Sequence, residues 1–552
     1  MDMATQLRIG LGQVNPVVGD IGGNVERIRT LCTDAADVDL VIVGELAVSG
    51  YPPDDLVLKR SFQDEVIDAV HALAGDTADG PALLVGTPWR DAGVLYNAAV
   101  LLEQGRITAV RYKHELPNYG VFDEKRLFNP GPLPLPVSFR GVRLGVMVCE
   151  DMWLPDVARH LGDACADIII VLNGSPFEAD KIVTRQRIAA TRCQDTNAPL
   201  VYVNLVGGQD ELVFDGGSFV TTPTVGVVCQ APAWTTGVTV TQWRCADTTG
   251  WTCDSVPPAP QAVGMEAIYR AMVCGLGDYV SKNRFPGVVI GLSGGIDSAL
   301  TACVAVDALG AEKVRCVMMP SPYTTTESLD DAAEAARLLG IRLDTVPITQ
   351  TMTAFSESLG DIFAGLPQDV TEENIQARCR GIILMAISNK LGHMLLTTGN
   401  KSEMSVGYAT LYGDMCGGFS VLKDIYKTTV FALSRWRNTH RPAGLKGPEG
   451  RVIPERVITK PPTAELKHNQ TDQDTLPPYD VLDGILTLLI EEEASVSDLV
   501  DRGFDADTVR RVWRMIDRAE YKRRQAPPGV KITSRAFGRD RRYPIVNGYA
   551  GP

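Results

Sequence analysis

Residues Val288–Ala299 read VVIGLSGGIDSA. An apolar run that ends in Ser-Gly-Gly and passes straight into a helix start fits few folds. The run reads as the strand Gly287–Leu292, the glycines as a tight turn and Asp297–Ala308 as a helix. Strand Val314–Met319, helix Ser328–Gly340 and strand Arg342–Ile348 follow. This βαβαβ run points to a doubly wound parallel sheet.

The turn also carries chemistry. Ser293, Gly294 and Gly295 put backbone N–H groups in reach of an anion, and the helix start adds its positive dipole end. Ser298 can cap the helix or bind phosphate, and Asp297 can hold magnesium. The pattern GxxxxGK[ST] is absent, so this is not a Walker A loop. A plain capped turn is the alternative reading; SGGxDS directly behind an apolar strand is the more specific one.

The chain has 552 residues, enough at ~100–200 per domain for two or more domains. Ahead of the restart at Val288, the runs Leu7–Val14, Val38–Val43, Leu83–Thr87, Asn97–Leu102, Val142–Cys149, Ile168–Asn173 and Leu200–Leu205 read as strands bounded by Gly, Pro, Asn or Asp. Asn24–Ala35 and Lys181–Asp195 read as helices between them, so the first half is a layered α/β domain with a large sheet. Residues 229–262 are rich in Thr, Pro and Gly, with one strand predicted at Gly237–Trp243. Val256–Ala262 reads as a linker and Met265–Val280 as the helix that opens the second half. The expected domains are 1–262 and 263–552. Residues 438–480 form a long Pro- and Gly-rich stretch, functional or disordered, and 521–552 is locally basic.

A net charge of −14 argues against a nucleic-acid surface. No signal peptide is visible, and apolar runs such as Ile168–Leu172 are far short of the ~20 residues of a membrane helix. The chain therefore reads as soluble and cytoplasmic. Its 12 cysteines include no CxxC pair and its 6 histidines are sparse, which argues against a zinc site or disulfide framework.

Three residues of the first half belong together: Glu45 and Cys149 at predicted strand ends, and Lys113 in YKHELPNYGVFDEKR. Taken singly, such a cysteine is more often buried and inert, and such a lysine or glutamate a solvated charge. Strand C-terminal ends are where α/β sheets place their sites. A thiol needs a base or cation to become nucleophilic; a carboxylate can take its proton, and an ammonium can stabilise an oxyanion. Replacing Lys113 is expected to damage that chemistry and to spare folding.

Residues 5–230 resemble the nitrilase (carbon–nitrogen hydrolase) superfamily, with Glu45 in GELAVSGYPPDDL, Lys113 in KHELPNYGVFDEKR and Cys149 in CEDMW in the family's order. The resemblance implies a four-layer αββα fold and amide hydrolysis through a thioester. LPNYGVFDEKR and NGSPFEADK are similar to the glutaminase domain of NAD synthetases, which implies that Tyr119, Glu124, Ser175 and Lys181 shape a glutamine pocket.

The SGGIDS turn resembles the ATP-pyrophosphatase family, which cleaves ATP between its α- and β-phosphates. The segments MPSPYTTTESLDDA (Met319–Ala332), EENIQARCRG (Glu372–Gly381), TTGNKSE (Thr397–Glu403), YATLYGDMCGGFSVLKDIYKT (Tyr408–Thr428) and KPPTAEL (Lys460–Leu466) are similar to the NAD synthetase members. That resemblance implies Asp297 and Glu403 as magnesium ligands. It implies Ser293, Gly294, Gly295, Ser298, Thr398, Lys427, Lys460 and Thr463 as contacts for ATP or pyrophosphate, and Asn374, Arg378 and Lys522 as contacts for deamido-NAD. The implied reaction adenylates the nicotinate carboxylate of deamido-NAD, and ammonia made from glutamine displaces AMP. The implied assembly is a homo-oligomer built on a synthetase-domain dimer, with ammonia carried between domains. Two rivals remain: an ATP-pyrophosphatase amidotransferase with another acceptor, and a non-catalytic scaffold or sensor.

Overall fold

The computed structural model describes residues 6–246, 250–468 and 470–549. The chain divides into two compact units, Met1–Val263 and Gly264–Pro552.

The first unit holds two facing sheets. In spatial order the seven-stranded sheet runs Gly250–Cys253, Gly237–Ala246, Gln6–Gln13, Leu40–Val43, Ala82–Asp91, Val94–Glu103 and Arg106–Tyr112. The six-stranded sheet runs Gly226–Gln230, Phe219–Thr222, Leu200–Asn204, Ile168–Asn173, Val142–Val148 and Val137–Phe139. The period of two along each strand explains the layers. Ile168, Ile170 and Leu172 join Leu40, Ile42, Leu144 and Val146 in a core between the sheets. Ile169 and Val171 point the other way, into a core shared with Val157, Leu161 and Ala189 of the helices Pro155–Asp163 and Lys181–Thr196. Val41 and Val43 likewise meet Ile28, Val66 and Val70 of the helices Ile21–Asp34 and Arg60–Asp76. Both faces of these strands are covered, which is why they read as continuous apolar runs. The result is the four-layer αββα arrangement.

Several sequence boundaries shift. Leu83–Thr87 and Asn97–Leu102 are parts of one long hairpin, Ala82–Asp91 with Val94–Glu103, closed by Ala92 and Gly93 at φ 48° and 83°. Val38–Val43 starts only at Leu40. The segment 229–262 was given one strand by its sequence; it supplies two to the large sheet. Gly237–Ala246 pairs antiparallel with Gln6–Gln13 along its whole length.

The second unit is built on a five-stranded sheet in the order Arg342–Thr345, Val314–Met318, Val288–Gly291, Met394–Thr397, Phe419–Ser420, parallel throughout. This is the doubly wound order, and it reverses between Val288–Gly291 and Met394–Thr397. Ligands bind outside the carboxyl ends of strands at such a switch. Within 438–480, Glu455–Thr459 forms a short helix and Asp472–Asp474 a 3₁₀ turn, so the stretch is not featureless loop. No described helix is long and apolar enough to cross a membrane. All twelve cysteines are free thiols.

Candidate active sites

In the first unit Glu45 stands just past Leu40–Val43, Cys149 directly past Val142–Val148 and Lys113 directly past Arg106–Tyr112. All three are buried, and Lys113 is fully enclosed. The Lys113 ammonium donates to Glu45 Oε1 at 2.7 Å and to both oxygens of Glu124 at 2.9 and 2.8 Å. Burial works against that ammonium, but Glu124 and Glu45 outweigh it and hold its pKa well above the usual lysine value. Burial lifts the Glu124 carboxyl to about 7 despite Lys113. Burial, reinforced by Glu45, also pushes the Cys149 thiol well up. The resting thiol is therefore neutral and needs a base to react. Cys149 sits at φ 46°, a left-handed conformation that a non-glycine residue keeps only where its surroundings impose it.

One side chain supplies much of that constraint. The buried Asp151 carboxylate accepts from Val148 N at 2.9 Å, His114 N at 3.0 Å and Glu115 N at 2.8 Å. It ties the turn that carries Cys149 to the segment that follows Lys113. Burial raises its pKa to about 6 against those three bonds.

Of the residues expected to shape the pocket, Tyr119 is exposed and donates its hydroxyl to both oxygens of Glu150 at 3.0 Å. Lys181 lies with Nζ 6.0 Å from the Trp153 ring centre and 3.9 Å from Glu178 Oε2. Glu124 lines a small cavity with Tyr51, Phe122 and Leu212, and both its oxygens also accept from Lys113. Ser175 is also tied inward: its hydroxyl accepts from Arg185 Nε at 3.1 Å, and its carbonyl from Arg185 at 2.8 Å. Residues missed by the sequence reading complete the site. The Asn97 amide bridges Glu45 and Glu124, and the Tyr51 hydroxyl donates to Glu124 at 3.3 Å. Tyr51 lies inside GELAVSGYPPDDL, a visible signal; Asn97 is an ordinary strand residue with none.

In the second unit a cavity of about 280 Å³ opens at the switch point. Ser293, Gly295, Asp297 and Ser298 line it from one strand end and Thr398 from the other, with Glu403, Lys427, Lys460 and Thr463 completing the wall. Gly294 has φ 80°, and a Cβ there would lie 2.3 Å from Ser328 O, so only glycine fits. Ser298 Oγ accepts from Ser293 N at 3.2 Å, closing the turn. Lys427 Nζ bridges Asp297 Oδ2 at 2.5 Å and Glu403 Oε1 at 3.1 Å. Burial lifts the Glu403 carboxyl to about 8, with Lys427 opposing. Among the described residues no three or more His, Cys, Asp or Glu side chains converge as a metal cage. Two carboxylates beside this glycine turn suit magnesium, which takes one or two carboxylates and completes its shell with phosphate oxygens and water.

Lys460 donates to Asp331 at 2.9 Å and to Ser328 Oγ at 3.2 Å, one residue pair away from the glycine turn. The Glu465 carboxylate accepts from the Thr325 and Ser328 hydroxyls at 2.9 and 2.7 Å, so KPPTAEL is anchored where the turn abuts Ser328. Thr463 donates to Gln470 O at 2.6 Å. Asn374, Arg378 and Lys522 do not line the cavity; they gather on the loop 407–411. Asn374 accepts from Thr410, Arg378 donates to Leu411 O, and Lys522 donates to Gly407 O and Ala409 O. Asp472, also missed, lines the cavity beside Lys427, and one of its buried oxygens has no partner.

The fold and sites define a two-unit chain, a nitrilase-type amide hydrolase followed by an ATP-pyrophosphatase-type ligase. The carbon–nitrogen hydrolase family matches residues 8–252 and the NAD synthase family residues 268–526. The chain is 50% identical to the glutamine-dependent NAD(+) synthetase of Rhodobacter capsulatus and 44% to that of Acinetobacter baylyi, over 99% and 98% of each chain. The solved structure of glutamine-dependent NAD+ synthetase from Acinetobacter baumannii, in complex with ADP, is 42% identical and superposes with a TM-score of 0.79, covering 99% of this chain and all of that one. This chain belongs to the glutamine-dependent NAD(+) synthetase family.

Proposed function

We propose that this chain forms NAD from deamido-NAD, ATP and glutamine, releasing AMP, pyrophosphate and glutamate. The observation that carries the reading is the Lys113 ammonium held between Glu45 and Glu124 beside a neutral, strained Cys149 thiol. In this reading Glu45 takes the Cys149 proton and the sulfur attacks the side-chain amide carbon of glutamine. The oxyanion forms beside Lys113. All three N–H bonds of that ammonium are already engaged, so the oxyanion displaces one of them. Collapse expels ammonia, which takes the proton back from Glu45, and leaves a thioester. Water activated by Glu45 then releases glutamate and restores the thiol.

In the second unit, the nicotinate carboxylate attacks the ATP α-phosphate and pyrophosphate leaves. The turn N–H groups, Lys427 and Lys460 face the charge that builds on the departing phosphates. Magnesium, held by Asp297 and Glu403, would neutralise phosphate charge. Ammonia attacks the acyl carbon and AMP departs. Asn374, Arg378 and Lys522 act on deamido-NAD through the loop 407–411. We also propose a homo-oligomer, which the exposed apolar side chains Ile382, Met385 and Leu391 along the helix Val370–Leu391 support. The test is NAD formation from deamido-NAD and ATP, first with glutamine and then with ammonium salt, beside a panel of other carboxylate acceptors. Product with another acceptor and none with deamido-NAD overturns the reading.

A further inference from the structure

Two carboxylates, Glu45 and Glu124, share one cation in a buried site. Chemistry that needs a base requires one of them to stay ionised while the other answers Lys113. Something must divide their roles. Lys113 does not, since it meets both at 2.7–2.9 Å. Asn97 is different. It is fully buried, and its Nδ2 group donates to Glu45 Oε1 at 2.7 Å and to Glu124 Oε2 at 3.3 Å. The bond to Glu45 is short and the bond to Glu124 long, so the amide favours charge on Glu45. Its own Oδ1 is buried with no partner. An unsatisfied buried acceptor is costly, and a leucine of similar shape would remove the cost. Packing alone therefore does not account for an amide at this place. The backbone carbonyl of Asn97 also accepts from Lys113 N at 2.8 Å, so one residue fixes the strand end that carries the lysine and both carboxylates it meets.

We propose that Asn97 is a positioning residue of the amide-hydrolysing site, one that keeps Glu45 in its ionised, proton-accepting form. The proposal rests on the reading of this site as a glutaminase. The charged and titratable groups that face the pair are Lys113, Tyr51 and Cys149, with Glu150 beyond them. Two neutral donors reach Glu45: the Gly174 backbone N–H on Oε2 at 2.9 Å and the Asn97 amide on Oε1, and of the two only the Asn97 amide also touches Glu124. Glu124 already holds its proton to about 7, the direction expected of the carboxylate with the weaker amide bond.

The experiment measures ammonia release from glutamine against pH for the full-length protein, Asn97→Ala and Asn97→Asp. Loss of a hydrogen bond to a charged group moves the acid limb of kcat/KM upward by about one pH unit. Asn97→Asp, which keeps the shape and adds a like charge, moves it further. At pH values on the acid limb both variants lose roughly tenfold or more in kcat/KM, by the same conversion, and they recover as pH rises above it. A merely structural role lowers activity across the whole range and leaves the limb in place. An unmoved limb in both variants overturns the proposal at any level of activity, and if Asn97→Ala does not fold, Asn97→Asp decides alone. Cys149→Ala is the control for the underlying reading. Ammonia release that persists in it overturns both, whereas release lost there with unmoved limbs overturns Asn97 only.

Discussion

Replacing Lys113 by methionine keeps the length of the side chain and removes its charge. The sequence placed this lysine in a loop, where its loss should spare the fold; the structure encloses it completely between Glu45 and Glu124. Lys113→Met strands two buried carboxylates, and breaking a buried ion pair by removing one partner costs about 3–5 kcal/mol. The cost depends on pH in a definite direction. The folded chain holds the Glu124 proton to about 7 against an ordinary 4.5. A carboxyl raised in this way stabilises the fold below its unfolded value and loses that contribution as pH rises through its folded value. Without the cation the carboxylates keep protons to still higher pH. The deficit should therefore be smallest in mild acid and grow between about pH 6 and pH 8. Catalysis suffers separately: losing one oxyanion donor costs about 2.7–4 kcal/mol, roughly 10²–10³ in kcat. The assays are ammonia release from glutamine and apparent unfolding temperature at two pH values. A variant with near wild-type ammonia release, or with a deficit that shrinks as pH rises, refutes the reasoning.

Cys149→Ala should abolish glutamine-dependent NAD synthesis while added ammonium salt restores it; glutamine-dependent product in the variant would remove Cys149 as the nucleophile. Asp297→Asn and Glu403→Gln should each abolish synthesis with either nitrogen source, and near wild-type rates at limiting magnesium would show that they hold no metal. Gly294→Ala, which sets a Cβ 2.3 Å from Ser328 O, should abolish ATP-dependent synthesis and leave ammonia release from glutamine intact. An active Gly294→Ala would mean that the turn can shift away from Ser328 without losing its function.

The two chemical centres were legible because their residues lie beside strand ends, where short sequence words such as SGGIDS and CEDMW hold a whole turn. The strands Ile168–Asn173 and Leu200–Asn204 were legible for a related reason: burial on both faces leaves unbroken apolar runs. Asn97 and Asp151 were not. Asn97 reaches Glu45 across 52 residues and Asp151 reaches His114 across 37, and no local pattern marks such distant partners. Glu124 was found through its word, but its ion pair with Lys113 was not, because a word names a family resemblance and not which side chain a residue faces. The role of 237–246 was hidden because its partner strand is the first in the chain. The gathering of Asn374, Arg378 and Lys522 on the loop 407–411 was likewise invisible, since Arg378 and Lys522 meet its backbone carbonyls, which no residue type marks.

The pairing of Gln6–Gln13 with Gly237–Ala246 also sets a timetable. Gln6 lies opposite Arg244, so the first strand made is completed by almost the last of its unit. At about 5–20 residues per second, a nascent chain waits on the order of 10–50 s for that partner to be synthesised. Throughout that interval Gln6–Gln13 offers one bare edge, and an unpaired edge is what another chain can add to. Long-range pairing of this kind is slow to form even when both strands are present. A ribosome that stalls before residue 237 would therefore leave a central strand open, and that fragment, more than the finished protein, is where aggregation would begin.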